Sequence, residues 1–260
     1  RTYEQNAFLH PTMIEPNPPI GLSFPNLKVV RNFKGRAVIA KSAIKKGLLV
    51  YLLEPKLIGL DPIQNLCYNC LGTISKNAFR TPVTVHDPLD RIQSNLAFKC
   101  ATCDHCTYCS YMCLVNHYYK SHRYECATLR ETLRLLPNET HELTELLVSL
   151  YFNSSRNPDL LNQVLGLMSH YDELHRSPNI QIVEVIQAIS RAITKIQSSK
   201  SPTEIYNSLF NFYCITRINA NTIVSHDDIV IGRCLDPGFS VINHSCIPNI
   251  QSYTSRNGTM

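Results

Sequence analysis

The chain has 260 residues, room for one large domain or two smaller ones with a real core. At 44% hydrophobic and 17% charged it is globular rather than disordered in composition, and a formal charge of +5 is too modest to argue for nonspecific nucleic-acid binding. Its longest strongly apolar run, Leu48 to Leu53, is far short of a membrane span, so no membrane partner is expected.

Residues 1–26 carry Pro11, Pro16, Pro18, Pro19 and Pro25 and read as an extended arm. They begin with Arg and show no basic region followed by an apolar stretch, so the chain is expected to be a trimmed piece without a secretion signal. From Leu27 the stretch "LKVVRNFKGRAVIAKSAIKKGLLVYLLEP" holds short β-rich runs broken by Gly35 and Gly47, predicting two or three strands with tight turns. The chain is then Cys-rich to Cys126. Over 127–212 the pattern is helical, with Leu129, Leu133 and Leu136, then Leu143, Leu146, Leu147 and Leu150, at three- and four-residue spacing. Two more helices are predicted in "NPDLLNQVLGLMSH" and "NIQIVEVIQAISRAITKI", with Asn157-Pro158 and Ser177-Pro178 as breaks and caps. After "NFYCITRINANTIVS" short strand-like runs return. This order suggests one β domain interrupted by two insertions.

Eight of the eleven cysteines fall between Cys67 and Cys126. Clustered Cys pairs in a chain without a secretion signal favour metal over disulfides. The pairs are Cys67-x2-Cys70, Cys100-x2-Cys103, Cys109-x3-Cys113 and His122-x3-Cys126. Zinc takes four tetrahedral N or S ligands, and a two-residue spacer lets one turn present two thiolates. Eight ligands make two structural Zn2+ sites. The short link from Cys103 to Cys109 favours an interleaved arrangement, with Cys67, Cys70, Cys109 and Cys113 on one ion and Cys100, Cys103, His122 and Cys126 on the other. Cys106 is surplus. Cys103-x2-Cys106 is an alternative pair, and His105 and His117 are further candidate ligands. Seven thiolates bring −7 and two zinc ions +4, which reduces the formal charge from +5 to +2.

The motif "VINHSCIPNIQ" near the C-terminus sets polar groups beside a strand end. Asn243-His244-Ser245 fits a glycosylation sequon, a reading weakened by the cysteine chemistry. The sharper reading is a ligand site.

The ligand order, with "YCSYMC" from Tyr108 to Cys113 and "HRYEC" from His122 to Cys126, resembles the MYND zinc finger. Two departures are visible. The span from Cys70 to Cys100 is long, read as a loop insertion, and Cys113 to His122 has one extra residue, with Tyr118 or Tyr119 where a Trp is common. Such a finger inside a split β domain that later carries "NHSCxPN" resembles the SET-and-MYND protein-lysine methyltransferases over about residues 27–260. "FKGRAVIAKSAIKKGLLVYLLEP" is similar to the first SET segment, and "RINANTIVSHDDIVIGRCLDPGFSVINHSCIPN" to the later one.

The resemblance implies an α+β fold, a SET-type β domain of short strands interrupted by a two-zinc finger and a helical insert. The implied divisions are an arm (1–26), a first SET segment (27–66), the MYND finger (67–126), the insert (127–212) and a second SET segment (213–260) whose C-terminal part is truncated. It implies methyl transfer from S-adenosyl-L-methionine to a lysine of a protein substrate, histone or otherwise. Lys34, Gly35, Arg36, Asn219, Asn243 and His244 match cofactor-binding positions. Gly35 suits close backbone approach, Lys34 and Arg36 could face the donor carboxylate, and Asn219 matches an Asn that holds the donor amine. Cys246 matches a ligand of a third zinc whose CxCxxxxC segment is not seen here. The family's tyrosine lies downstream of NHSCxPN, so no catalytic residue is named. Ala37 stands in place of the second glycine of the KGxG turn, and Asn221 in place of a usual Phe. The alternative is a non-catalytic adaptor whose finger grips proline-rich peptides. No basic stripe runs through 100–126, so direct nucleic-acid binding is not expected. Cytoplasm and/or nucleus is the expected location.

Overall fold

The structure is a computed structural model and describes residues 26–32, 35–51, 57–62, 65–75, 80–86, 97–197, 200–224, 229–242 and 244–250. Strands β1 (Leu27–Asn32) and β2 (Gly35–Ala40) form an antiparallel hairpin, with Leu27 opposite Ala40 and Asn32 opposite Gly35. Among its described side chains, Leu27 and Ala37 are buried. No third strand follows in 41–51. Gly47 there adopts φ +86°, a turn geometry, and Leu48 and Leu49 are exposed. Next come β3 (Ile58–Leu60), β4 (Arg80–Val83), β5 (Ala97–Cys100) and β6 (Thr107–Tyr108).

A nearly continuous rod then runs from Tyr111 to Leu133. It comprises α1 (Tyr111–His117), a π-helical turn (Tyr118–His122) and α2 (Arg123–Leu133). Five helices follow: α3 (His141–Arg156), α4 (Pro158–Leu165), α5 (Tyr171–Arg176), α6 (Ile180–Ile196) and α7 (Pro202–Asn219). Their starts have local causes. Asn157 caps α4 by accepting from the Leu160 amide at 3.1 Å, with Pro158 in the first turn. Ser201 and Glu204 form a capping box on α7. Ser177-Pro178 ends α5 rather than capping α6, whose cap is Asn179.

Helical structure thus begins before residue 127 and continues past 212. "NFYCITRIN" is rich in β-branched and aromatic residues, yet it is the end of α7. Phe210, Phe212, Tyr213, Cys214, Ile215 and Thr216 are all buried, so packing on every side overrides a weak local preference. Strands β7 (Asn221–Val224) and β8 (Val230–Cys234) and a 3₁₀ turn (Phe239–Val241) are the last regular elements of the described residues.

The strands make three small sheets, ordered β1-β2, β3-β8-β7 and β4-β5-β6. The second sheet joins residues far apart in sequence, which is the split domain expected from the order of elements. Helix α3 lies at the centre, against β3, α2, α6 and α7, and Leu147, Val148 and Leu150 on it are fully buried. It approaches β3 very closely. A Cβ on Gly59 would lie 1.9 Å from the Glu142 carbonyl oxygen, so only glycine fits. The fold is α+β. Among the described residues, no helix is long and apolar enough to cross a membrane.

Candidate functional site

Two CxxC turns start the candidate metal centres, and they share one backbone design. After Cys67 and Cys70, the amide of Leu71 donates to the Cys67 carbonyl at 2.9 Å; after Cys100 and Cys103, the amide of Asp104 donates to the Cys100 carbonyl at 2.9 Å. Leu71 and Asp104 both take left-handed φ, +58° and +55°. Each turn is closed by a second bond at 2.9 Å, from Cys67 N to Gly72 O and from Cys100 N to Cys106 O. The thiols of each pair therefore point to one side.

Cys109, just before the rod, and Cys113, His122 and Cys126 on it supply the other ligands. Ser110 caps α1, and its Oγ accepts from the Cys113 amide at 3.2 Å, which sets Cys113 one turn above Cys109. The eight residues gather as Cys67, Cys70, Cys109 and Cys113, and as Cys100, Cys103, His122 and Cys126, with ligand atoms in each group within 4.8 Å of one another. These are the two groups named by the interleaved expectation. Sulfur pairs lie at 3.6 Å (Cys70–Cys109, Cys109–Cys113) and 3.8 Å (Cys100–Cys126). His122 Nε2 is 3.3 Å from Cys100 Sγ and 3.6 Å from Cys103 Sγ. Tetrahedral zinc at normal bond lengths sets ligand atoms about 3.5–3.8 Å apart, so both donor sets fit Zn2+ and close it in with four ligands. In the first group the hydrogen bond between Cys67 and Cys70 lowers the Cys70 thiol and raises that of Cys67, so one proton is shared across the pair.

The one extra residue between Cys113 and His122 lies in the π turn. An i→i+5 turn absorbs a single insertion without breaking the helix, and here His122 still reaches the second cluster.

The remaining candidate ligands have other partners. Cys106 is outside both groups of four. It is buried, and its Sγ lies 3.7 Å from His122 Nδ1, so with Nε2 turned to the metal the Nδ1 proton points at this sulfur. His117 Nδ1 bonds the Tyr108 hydroxyl at 3.0 Å and its ring stacks on His122. Burial, then the neighbouring His122, pushes its pKa down to about 3, so it is a neutral packing group. His105 pairs with Glu145 of α3. The Tyr68 hydroxyl bonds both, at 2.8 Å to His105 and 2.9 Å to Glu145, and the second Glu145 oxygen accepts from the Leu60 amide at 3.0 Å. Burial opposes the His105 imidazolium, but the Glu145 carboxylate outweighs it and raises the pKa. Burial and the same carboxylate push the Tyr68 phenol well up. One buried acid thus ties the finger to α3 and β3. No periodicity or motif in the sequence marks Glu145 for this task.

The expected cofactor-binding residues divide differently. Lys34 and Asn243 lie outside the described residues. Gly35 opens β2. Arg36 donates to the Gly166 carbonyl, and Asn219 Nδ2 donates at 2.8 Å to the carbonyls of Met168 and Ile215. Ser240 Oγ donates to the Asn219 carbonyl at 3.0 Å. Four segments therefore meet: the start of β2, the α4–α5 connection at 166–168, the end of α7, and the 3₁₀ turn at 239–241. The sequence reading missed the 166–168 connection and Ser240; Gly166 after a helical run was the available signal. His244 is exposed, with its Nε2 at 3.4 Å from the exposed Cys246 sulfur.

No family model matches the chain. It is 25% identical over 219 residues to the SET domain and MYND-type zinc finger protein 6 of Schizosaccharomyces pombe, covering 84% of this chain and 39% of that protein. It is 27% and 26% identical over 157 residues to the N-lysine methyltransferase SMYD2 of Mus musculus and of Rattus norvegicus, covering 58% of this chain and 35% of each. The chain thus spans about two-fifths or less of the length of these curated relatives. Similarity to SET-and-MYND proteins extends over most of the chain, in agreement with the motifs and the two zinc-binding clusters.

Proposed function

We propose, from this SET-and-MYND resemblance, that the chain is the cofactor-binding and zinc-finger part of an S-adenosylmethionine-dependent protein-lysine N-methyltransferase. The observation that carries the reading is the convergence of Arg36 and Asn219 on one connection beside the β1–β2 hairpin. The donor has a charged amino-acid head, and these residue types suit it. A guanidinium can face a carboxylate, while the Asn219 Oδ1 and the carbonyls of 166–168 can accept from an ammonium. Gly35 lets backbone approach without a side chain. S-adenosylmethionine, when bound, supplies the activated methyl group. The chain's own residues bind and orient it, and the rate gain expected of such a site is chiefly positional. A target lysine has an ordinary pKa of about 10.4, so the complete enzyme must favour its neutral amine. We assign that task to no described residue.

Zn2+ in the two clusters is structural in this reading, because four protein ligands leave no open position. The substrate would be a protein, and the proposed location is the cytoplasm and/or nucleus, where thiolates stay reduced. A second reading, a non-catalytic adaptor, is favoured by one observation: Arg36 and the Asn219 amide are both engaged within the chain.

The test is a calorimetric titration of the zinc-loaded, full-length natural protein with S-adenosylmethionine. Binding is expected, weakened at least about 10-fold by Asn219→Ala, a loss of roughly 1.4 kcal/mol. Absence of binding by folded protein holding both zinc ions overturns the enzyme reading and leaves the adaptor.

A further inference from the structure

Cys100-x2-Cys103-x2-Cys106 is a pair of overlapping CxxC turns that share Cys103. The thiols of Cys103 and Cys106 are in hydrogen-bond contact, and Cys106 Sγ lies 3.7 Å from His122 Nδ1. The Cys100 amide donates to the Cys106 carbonyl at 2.9 Å, which ties the backbone of Cys106 to the ligand-bearing turn. The Cys106 sulfur therefore touches two of the four ligands of the buried cluster, and at 1% exposure the residue hardly meets solvent. Five metal-binding side chains crowd a position that needs four.

The ligand best placed to yield is His122. Cys100 and Cys103 are held by the bonds of their turn, and Cys126 lies in the regular helix α2, which packs on α3. His122 is instead the last residue of the π turn, where the Arg123 amide bonds back to the Tyr118 carbonyl five residues before it. A π turn holds one surplus residue. Moving that surplus to the other side of His122 turns its side chain by about 100° around the helix axis while Cys126 keeps its place. A cavity of about 60 Å³ borders Cys106, Ser121 and Glu125 and leaves side chains here room to rotate.

We propose that Cys106 is a fifth, exchangeable donor of the buried cluster. It replaces His122 when the imidazole is withdrawn, or when a soft divalent cation such as Cd2+ takes the place of Zn2+. The cluster then passes from three thiolates and one imidazole to four thiolates, the donor set of Cys67, Cys70, Cys109 and Cys113. Zinc accepts either set, while thiolate is the ligand that softer ions select. In the exchange one metal–nitrogen bond breaks and one metal–sulfur bond forms, and the Cys106 thiol proton goes to the released imidazole. The exchange involves the zinc clusters alone and is independent of methyl transfer.

The test uses the intact protein in reducing buffer, loaded with zinc for native mass spectrometry and with cadmium for cadmium NMR, whose shift separates four-thiolate sites from sites of three thiolates and one imidazole. His122→Ala should keep two zinc ions per chain, and adding Cys106→Ala to it should leave one. Loaded with cadmium, His122→Ala should give two four-thiolate signals. One zinc in folded His122→Ala, two in the double variant, or a cadmium signal from three thiolates completed by water overturns the proposal. Should His122→Ala fail to fold, the unsubstituted protein decides. Both of its cadmium signals should lie in the four-thiolate range, and Cys106→Ala should move one of them to the position of three thiolates and one imidazole. A mixed-ligand signal in the unsubstituted protein, or no movement in Cys106→Ala, overturns the proposal.

Discussion

The two metal clusters are built on one backbone turn and end in different surroundings. In the first, Cys67 is buried but Cys109 is exposed and Cys70 and Cys113 are half-buried, and Asn69 Nδ2 donates to Cys113 Sγ at 3.6 Å. In the second, all four ligands are buried, His117 stacks on the ligand histidine, and Cys106 lies behind it. The same turn thus makes a local staple at one place and part of the core at the other. What separates them is the helix rod. It delivers Cys113 near its exposed start, but His122 and Cys126 where α2 packs on α3. Metal at the second cluster is therefore coupled to the stability of the helical body, and metal at the first much less so.

Removing a ligand from each cluster tests this most strongly. Cys126→Ala should leave one zinc per chain by native mass spectrometry and lower stability by about 5 kcal/mol or more, because zinc binding free energies on the order of 10 kcal/mol are also folding free energy. Cys113→Ala should also lose one zinc, yet keep the helical circular-dichroism melt within a few degrees. Equal melting losses in the two variants would break the comparison.

Next in size is the buried acid that links the finger to the body. Glu145→Ala strands His105, Tyr68 and the Leu60 amide, and should cost about 3 kcal/mol in urea unfolding. Glu145→Gln keeps hydrogen bonding and should cost clearly less. Both should retain two zinc ions.

A smaller effect is expected at Cys106. Cys106→Ala removes the group behind His122 Nδ1 and should weaken zinc at the buried cluster by about 10-fold in chelator competition, with the exposed cluster unchanged. The smallest concerns the π turn. Deleting Tyr119 should convert this turn to regular helix, keep both zinc ions and change stability by no more than about 1 kcal/mol. Deleting Tyr124, between His122 and Cys126, rotates one ligand about 100° from the other and should cost a zinc ion.

Much of the finger was legible in the sequence because its ligands act through local spacing. A CxxC pair or an i, i+4 pair on a helix meets one ion whatever the rest of the chain does. The helical character of residues 127–212 was legible for a similar reason, its apolar spacing being local, but α5 and the end of α4 at Leu165, inside the stretch read as one helix, were not. The end of α7 was not, since the residues from Phe212 to Thr216 favour strand locally and are helical through burial on all sides.

The chain's composition and ligand spacing determined by themselves that two four-ligand clusters form and that strands flank a Cys-rich module and helices. Only the tertiary structure decided which cluster is buried, that Glu145 reaches both Tyr68 and Leu60, and that Arg36, Gly166, Met168, Asn219 and Ser240 meet. The reason is range. Coordination and helix periodicity operate over a few residues, whereas burial and the convergence of segments 36, 166 and 219 depend on how α3 packs against strands from both ends of the chain.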